Sequence, residues 1–341
     1  MLFLGEADIE ALITLPDALA CAAMAYRLHA TGNAAAPVRG DLRHGDPKAG
    51  CLMLGGARGA EALTIKSNVH AYPDGPEAPR LWGSLLILWD WRRAEPRALL
   101  AARAFNEHRT AAGFALGADR LAAPDAGILA LFGAGKSAPL ALRYLKAVRP
   151  SIREIRLAGR SPGRVEALAA QAALWPDLAD TRILCAASPE AAVAGADIIA
   201  TVTTSDRPVF PGEAVKPGAS IVLGGANRPD AREADDALMR RADLYVDARP
   251  GAAEKAGDIR LALASGALVP ERIRAEIGAV PQGGLPLSAG SDVRVFKSMG
   301  LAIQDVVLAE HLAARAEAEG RGLRLDLATG KALVNRKALA S

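Results

Sequence analysis

Between residues 127 and 246 the apolar positions come in short solid runs separated by amphipathic stretches. The runs predict strands at Ile128–Phe132, Glu154–Ala158, Arg182–Cys185, 197–203, Ser220–Leu223 and 244–246. Helices are expected at 140–148, 162–173 and 233–240. Strands that lack polar alternation and alternate with helices imply a parallel sheet covered on both faces. Upstream the pattern differs. Residues 2–28 read as two short helices, the second opened by Pro16-Asp17. Residues 31–46 read as a loop carrying Arg39 and Arg43. Strands are expected at 51–54, 62–67 and 81–89, punctuated by Gly55-Gly56 and Pro73-Asp74-Gly75-Pro76. A helix is expected over 95–121, and one long helix over 296–318 that returns to the first domain. The expected fold class is α/β: a Rossmann doubly wound parallel sheet, 119–304, inserted in an α+β domain made of 1–118 and 305–341.

Composition narrows the function classes. The chain has 341 residues, too many for one ordinary core, which agrees with two domains. Its 41 basic and 38 acidic residues are intermixed, so no basic run suits a nucleic-acid groove. No apolar run has the length of a membrane span, and Glu6, Asp8 and Glu10 interrupt the N-terminus where a leader would be apolar. Cys21, Cys51 and Cys185 stand far apart, without ligand spacing. Neither a disulfide framework nor a metal site is expected, and a reducing cytoplasm is the default.

The sharpest motif is Gly133-Ala134-Gly135-Lys136-Ser137-Ala138, a GxGxxA string between a predicted strand and a predicted helix. Gly133 permits the tight turn. Gly135 lets a pyrophosphate approach the backbone, and Ala138 lets the helix lie close to the strand. The helix N-terminus then offers free N–H groups to the phosphates. At the end of the next strand an NAD-preferring site places a carboxylate for the ribose 2′-hydroxyl. This chain has Gly159-Arg160-Ser161 instead. Arg160 can pair with a 2′-phosphate and Ser161 can add a hydroxyl bond, so NADP(H) is expected, with NAD(H) as the alternative.

Lys66, on a predicted strand, and Arg109, in a predicted helix, are cations suited to anchoring a substrate carboxylate. Each alone would read as a surface cation. The order of motifs changes that reading: Pro37-Val38-Arg39, the strand ending at Lys66, Arg109-Thr110-Ala111-Ala112, and Gly133-Ala134-Gly135. Farther on come the stretch from Gly224-Gly225-Ala226-Asn227 through Arg228 to Glu233, and Val295-Phe296-Lys297-Ser298-Met299-Gly300 running into Ala302-Ile303-Gln304-Asp305. In this order, over nearly the whole chain, the sequence resembles the ornithine cyclodeaminase/mu-crystallin family. The resemblance implies a Rossmann domain beside a dimer-forming substrate domain, and hence a homodimer. It implies that Arg39, Lys66 and Arg109 hold the substrate carboxylate, with Lys66 also protonating an imine nitrogen and Lys66 and Arg109 the catalytic pair. Val202, Thr203, Gly224 and Gly225 would line the nicotinamide side, with Asn227 also a cofactor-binding position and Lys136, Ser137 and Lys297 approaching the cofactor.

The departures are informative. Ornithine cyclodeaminases carry a proton-handling aspartate where this chain has Asn227, and a glutamate for the far amino group where it has Cys51. The version Asn227-Arg228-Pro229-Asp230 looks closer to the ketimine-reductase branch. The expected activity is therefore reduction of a cyclic ketimine carboxylate, Δ1-pyrroline-2-carboxylate or Δ1-piperideine-2-carboxylate, to proline or pipecolate. The alternatives are an amino acid dehydrogenase, an ornithine cyclodeaminase, or a non-catalytic NADPH-dependent binding protein. The trio of cations argues against the last, since storage has no need of them.

Overall fold

The computed structural model describes residues 1–42, 50–58, 61–71 and 81–333. Arg43 and the Pro73–Pro76 punctuation lie outside the described residues. The chain opens with strand β1 (Leu2–Leu4), helix α1 (Glu6–Leu12) and helix α2 (Leu15–Ala30). Residues 2–4 were expected to be helical. They instead pair with two strands, an arrangement that a three-residue apolar run does not announce by itself. Helix α2 starts at Thr14, whose hydroxyl accepts from the Asp17 amide at 3.2 Å. There follow β2 (Ala34–Ala35), β3 (Gly40–Leu42), β4 (Gly50–Ala57), β5 (Ala62–Ala71), β6 (Leu81–Asp90) and β7 (Glu95–Ala101). Helix α3 (Arg103–Leu121) comes next. The helix expected over 95–121 thus begins eight residues late. Residues 95–101 are rich in helix formers, yet Ala98 and Leu100 alternate inward and pair with β6. Tertiary pairing overrides propensity here.

Then come β8 (Ile128–Phe132), α4 (Ala138–Val148), β9 (Glu154–Ala158), α5 (Pro162–Ala172), β10 (Arg182–Cys185), α6 (Pro189–Val193), β11 (Ile198–Thr201) and β12 (Ser220–Leu223). After these come α7 (Asp236–Arg241), β13 (Ala242–Val246), α8 (Arg249–Lys255), α9 (Gly257–Ala264), β14 (Ile273–Glu276) and β15 (Val293–Lys297). The eight strands lie all parallel in the order β10-β9-β8-β11-β12-β15-β13-β14. The order reverses between β8 and β11, so the C-terminal edge there is the ligand crevice of a doubly wound sheet. Strands β11, β12 and β13 are buried at every position, as strands with helices on both faces must be. Phe296 and Lys297 belong to β15, not to a helix. The expected 296–318 helix is broken at Gly300, whose φ is +79°.

The chain ends, within the described residues, with α10 (Ala302–Glu319), β16 (Leu323–Leu325) and β17 (Ala332–Leu333). Two compact units result: Met1–Thr110 with Leu301–Ser341, and the inserted Ala111–Gly300. In the first, a sheet ordered β17-β16-β1-β7-β6-β5-β4-β2, with β3 on β4, is antiparallel except for β1 on β7. One face of β5 is buried at Ala62, Thr64, Lys66 and Asn68 and lies under α10. The approach is close: a Cβ on Gly55 of β4 would stand 2.7 Å from the Ala302 carbonyl oxygen. No single described helix is long and apolar enough to cross a membrane. The bent pair α1 and α2 passes that test by length and composition only.

Candidate functional site

In the first unit, strand pairing builds a row across the sheet. Met53 of β4 faces Lys66 of β5, which faces Leu86 of β6, and side chains of opposed residues share a face. Gly40 pairs with Leu52, so continuing that register by one residue sets Arg39 opposite Met53. Lys66 is fully buried. Its Nζ donates to Asp305 Oδ1 of α10 at 2.8 Å and to Asn106 Oδ1 of α3 at 2.9 Å. Arg109, one turn along α3, lies with Nε 3.1 Å from the same Asp305 oxygen. Its Nη2 donates to Asn106 at 2.9 Å and to Met53 Sδ at 3.8 Å. Gln304 donates to the Arg109 carbonyl at 3.2 Å and accepts from the Leu301 amide at 2.9 Å. The structure therefore brings Lys66 and Arg109 together on one carboxylate. Arg39 lies with Nε 3.9 Å from Asp41 Oδ1.

The electrostatics follow. Two cations share one anion in a buried place, leaving a net positive charge that is costly without an anionic ligand. Burial and the Arg109 guanidinium pull the Lys66 ammonium down to about 8, while Asp305 pulls the other way. An ammonium has three donors. Two are taken on Lys66, and among the described residues nothing takes the third. Arg109 Nη1 is likewise without a partner among the described residues. Asp305 Oδ2 is buried with no hydrogen-bond donor. One pair along the sheet, Cys51 faces Asn68, whose Nδ2 donates to the thiol sulfur at 3.3 Å. The sequence pattern gives Asn106 no role and carries Asp305 only as the end of the closing motif. An acid in the first turn of an apolar helix reads as a partner for the helix dipole, which hides a second role.

In the second unit the glycine turn joins β8 to α4. Gly133 has φ +112°, and a Cβ there would stand 2.8 Å from the Val202 carbonyl oxygen at the end of β11. Nothing lies within 4 Å of a Cβ built on Gly135, so its backbone is open to a ligand. Lys136 and Ser137 are exposed, Ala138 is buried under the turn, and the Ser137 side chain does not cap α4. These features fit a pyrophosphate. The Gly133 amide donates to the Ala158 carbonyl at 2.8 Å, which sets the end of β9 beside the turn. Arg160 and Ser161 follow, both exposed, and among the described residues nothing pairs with Arg160. Thr203 and Gly224 stand at the ends of β11 and β12, with Asn227 half-buried beyond them. Lys297 is the last residue of β15. It is fully buried and paired with Asp258, itself buried, at 2.8 Å. Its partner is a single carboxylate, and the pair is neutral.

The parallel sheet, its glycine turn at the switch point and the open backbone above it define a Rossmann dinucleotide-binding unit. The chain belongs to the ornithine cyclodeaminase/mu-crystallin family, whose sequence profile matches residues 1–320. It is 37% identical over 225 residues to the ketimine reductase mu-crystallin of Mus musculus, covering 66% of this chain and 67% of that one. It is 32% identical over 271 residues to the Δ1-pyrroline-2-carboxylate reductase of Paracoccus denitrificans, covering 78% and 84%. Among solved structures, the Δ1-pyrroline-2-carboxylate reductase of Thermococcus litoralis, in complex with NADH and L-proline, superposes with a TM-score of 0.84. That match has 26% identity and covers 95% of this chain and 100% of the other.

The shared carboxylate yields a prediction. Asp305→Asn leaves two buried cations without their anion, so the folded state should lose on the order of 3–5 kcal/mol at pH 7. The loss should shrink above pH 8, where Lys66 sheds its charge. Urea unfolding of both proteins at pH 7 and pH 9 measures it. Equal stabilities at pH 7 would show that the carboxylate is not needed.

Proposed function

We propose that this protein is an NAD(P)H-dependent oxidoreductase that reduces a cyclic ketimine carboxylate, Δ1-pyrroline-2-carboxylate or Δ1-piperideine-2-carboxylate, to proline or pipecolate. The carrying observation is the Lys66–Arg109–Asp305 cluster, buried and net positive, with donors and an acceptor left over. The kinship with ketimine and pyrroline-carboxylate reductases supports the same reading. On this reading unit Ala111–Gly300 holds the dinucleotide and the other unit holds the substrate. Lys66, Arg109 and Arg39 bind the substrate carboxylate. A bound nicotinamide supplies hydride to the imine carbon. Lys66 supplies the proton that the ring nitrogen takes up, which balances C=N to CH–NH. Asn227 lacks a titratable carboxylate and Cys51 is a poor partner for an ammonium, so ornithine is not the substrate. The three cysteines are free thiols, which suits a reducing cytoplasm.

The test is steady-state oxidation of NADPH and NADH with a panel of cyclic imines, keto acids, amines and ornithine. Turnover is expected with the cyclic ketimine carboxylates and not with ornithine. The reductive rate should fall as pH rises through about 8, where Lys66 loses its proton. Removing one partner of a buried charge pair costs on the order of 2–5 kcal/mol. Arg109→Ala should therefore lower kcat/KM roughly thirty-fold or more, with dinucleotide affinity unchanged. Near-native efficiency in a folded Arg109→Ala protein would refute the clamp.

NADPH is preferred over NADH on this reading, because Arg160 is exposed and without a partner among the described residues where a carboxylate would select NADH. Arg160→Glu should raise the KM for NADPH and spare that for NADH. A native enzyme with a lower KM for NADH would overturn the assignment.

A homodimer is proposed on the outer face of the first sheet. Leu52, Leu54, Val69 and Leu85 are exposed there on adjoining strands β4, β5 and β6, an apolar patch of the kind that subunits cover. Leu54→Glu should give a monomer in sedimentation equilibrium while the native chain sediments as a dimer. A native monomer would end the proposal.

A further inference from the structure

Glu233 lies in the loop between β12 and α7 and is fully buried. Its carboxylate takes four donors, two from the loop after β11 and two from the start of its own loop after β12. Oε1 accepts from the Thr203 amide at 2.9 Å and the Thr203 hydroxyl at 2.7 Å. Oε2 accepts from the amides of Gly225 at 2.7 Å and Ala226 at 3.2 Å. Thr203 follows β11 and Gly225 follows β12, so one side chain ties together the loops at the C-terminal ends of two neighbouring parallel strands. The approach leaves no room for a side chain: a Cβ on Gly225 would collide with the Thr203 carbonyl oxygen and stand 2.5 Å from its amide nitrogen. The same region closes against the glycine turn through the Val202 carbonyl, 2.8 Å from a Cβ on Gly133.

Glu233 is itself held. Asp258 Oδ1 accepts from the Glu233 amide at 2.6 Å and the Ala234 amide at 3.0 Å. Asp258 Oδ2 is paired with Lys297 at 2.8 Å. A chain of contacts thus runs from Lys297 through Asp258 to Glu233 and on to the two loop backbones. An ionised carboxylate is acceptor-only and suits four converging donors, whereas an amide would turn a donor toward two of them.

We propose that Glu233 is a positioning residue for the nicotinamide half of the dinucleotide, fixing the β11 and β12 loops through their backbone amides, with Asp258 and Lys297 orienting it. The proposal rests on the assignment of this unit to a nicotinamide dinucleotide. The adenosine half belongs to the glycine turn and Arg160, which Glu233 does not touch. The two halves of the cofactor therefore respond differently to loss of this carboxylate.

The test compares native protein, Glu233→Gln and Thr203→Val. The probes are NADPH and NADH, read by the fluorescence of the bound nicotinamide, and ADP-ribose with its 2′-phosphate form, which lack the nicotinamide. Amide hydrogen exchange is followed in the unliganded proteins. In Glu233→Gln the amides of Thr203, Gly225 and Ala226 should exchange faster without ligand. Bound nicotinamide emission should move toward that of free cofactor, and kcat should fall roughly tenfold or more. Affinity for the ADP-ribose probes should stay within about twofold of native. Thr203→Val removes one of the four donors and should shift the same readouts less, which keeps the test decisive where Glu233→Gln does not fold. Native exchange and native nicotinamide emission in both variants would overturn the role. So would equal losses for NADPH and the ADP-ribose probes, since that marks general collapse. A native protein that binds neither dinucleotide would overturn the cofactor assignment itself, and this role with it. A native protein that binds while the variants match it overturns the positioning role alone.

Discussion

The Asp305 carboxylate, buried with Lys66 and Arg109 on one of its oxygens, is the constraint that the rest of the first unit answers to. Isolated buried charges are among the costliest groups a protein can hold, and pairing repays that cost only with good geometry. Three elements must therefore arrive together: β5 with Lys66, α3 with Asn106 and Arg109, and α10 with Gln304 and Asp305. Their register is fixed from several sides. Gly55 admits the start of α10 against β4. Gln304 ties α10 to the backbone of α3. Asn106 bonds both cations through one oxygen and so fixes their spacing. An error in any of these would strand a charge.

The second unit holds the converse arrangement. Lys297 and Asp258 form a closed pair, both without exposed surface. Lys66 and Lys297 both lie on strands and both are fully buried, yet one shares its anion with an arginine and the other does not. Charge inventory separates them. The first cluster sums to a net positive charge and has donors to spare. The second is neutral and spends its other carboxylate oxygen on backbone amides. A net charge asks for a ligand, whereas a balanced pair holds up its surroundings.

The sequence was most legible where structure is local. The Gly133 turn, the strands Ile128–Phe132, Glu154–Ala158, Arg182–Cys185 and Ser220–Leu223, and the doubly wound class all follow from short apolar runs and a glycine string. Leu2–Leu4, Glu95–Ala101 and the strand through Phe296 have a helical pattern and fold as strands. Each is built from residues content in either state, and pairing partners distant in the chain decide the outcome. Lys66 and Arg109 were legible from motif order. The roles of Asn106, Asp305 and Glu233 were not, because an acid or amide at a helix start or in a loop has a bland reading until its donors are seen. The buried pairing of Lys297 with Asp258 was equally out of reach, since a charged residue in a motif carries no sign of a partner 39 residues away.

The groups left over in the first cluster narrow what fits it. Lys66 has one N–H to give and Arg109 has Nη1. Asp305 Oδ2, buried and without a donor, has a bond to receive. A plain carboxylic acid would satisfy the donors and leave Oδ2 orphaned, which costs about 1–3 kcal/mol. A free amine would satisfy Oδ2 and leave the spare donors of Lys66 and Arg109 without an acceptor. A molecule with a carboxylate and a protonated nitrogen on the same carbon satisfies both at once. On the proposed reading that molecule is an α-imino acid before hydride arrives and an α-amino acid after it. In a cyclic ketimine carboxylate the nitrogen and one carboxylate oxygen flank the same bond, so the free N–H of Lys66 can address either. With its ammonium lowered to about 8, that N–H can also be given up to the nitrogen as it becomes an amine. On the proposed reading Asp305 Oδ2 accepts from the N–H of the amine so formed, and the carboxylate that assembles the site also holds its product.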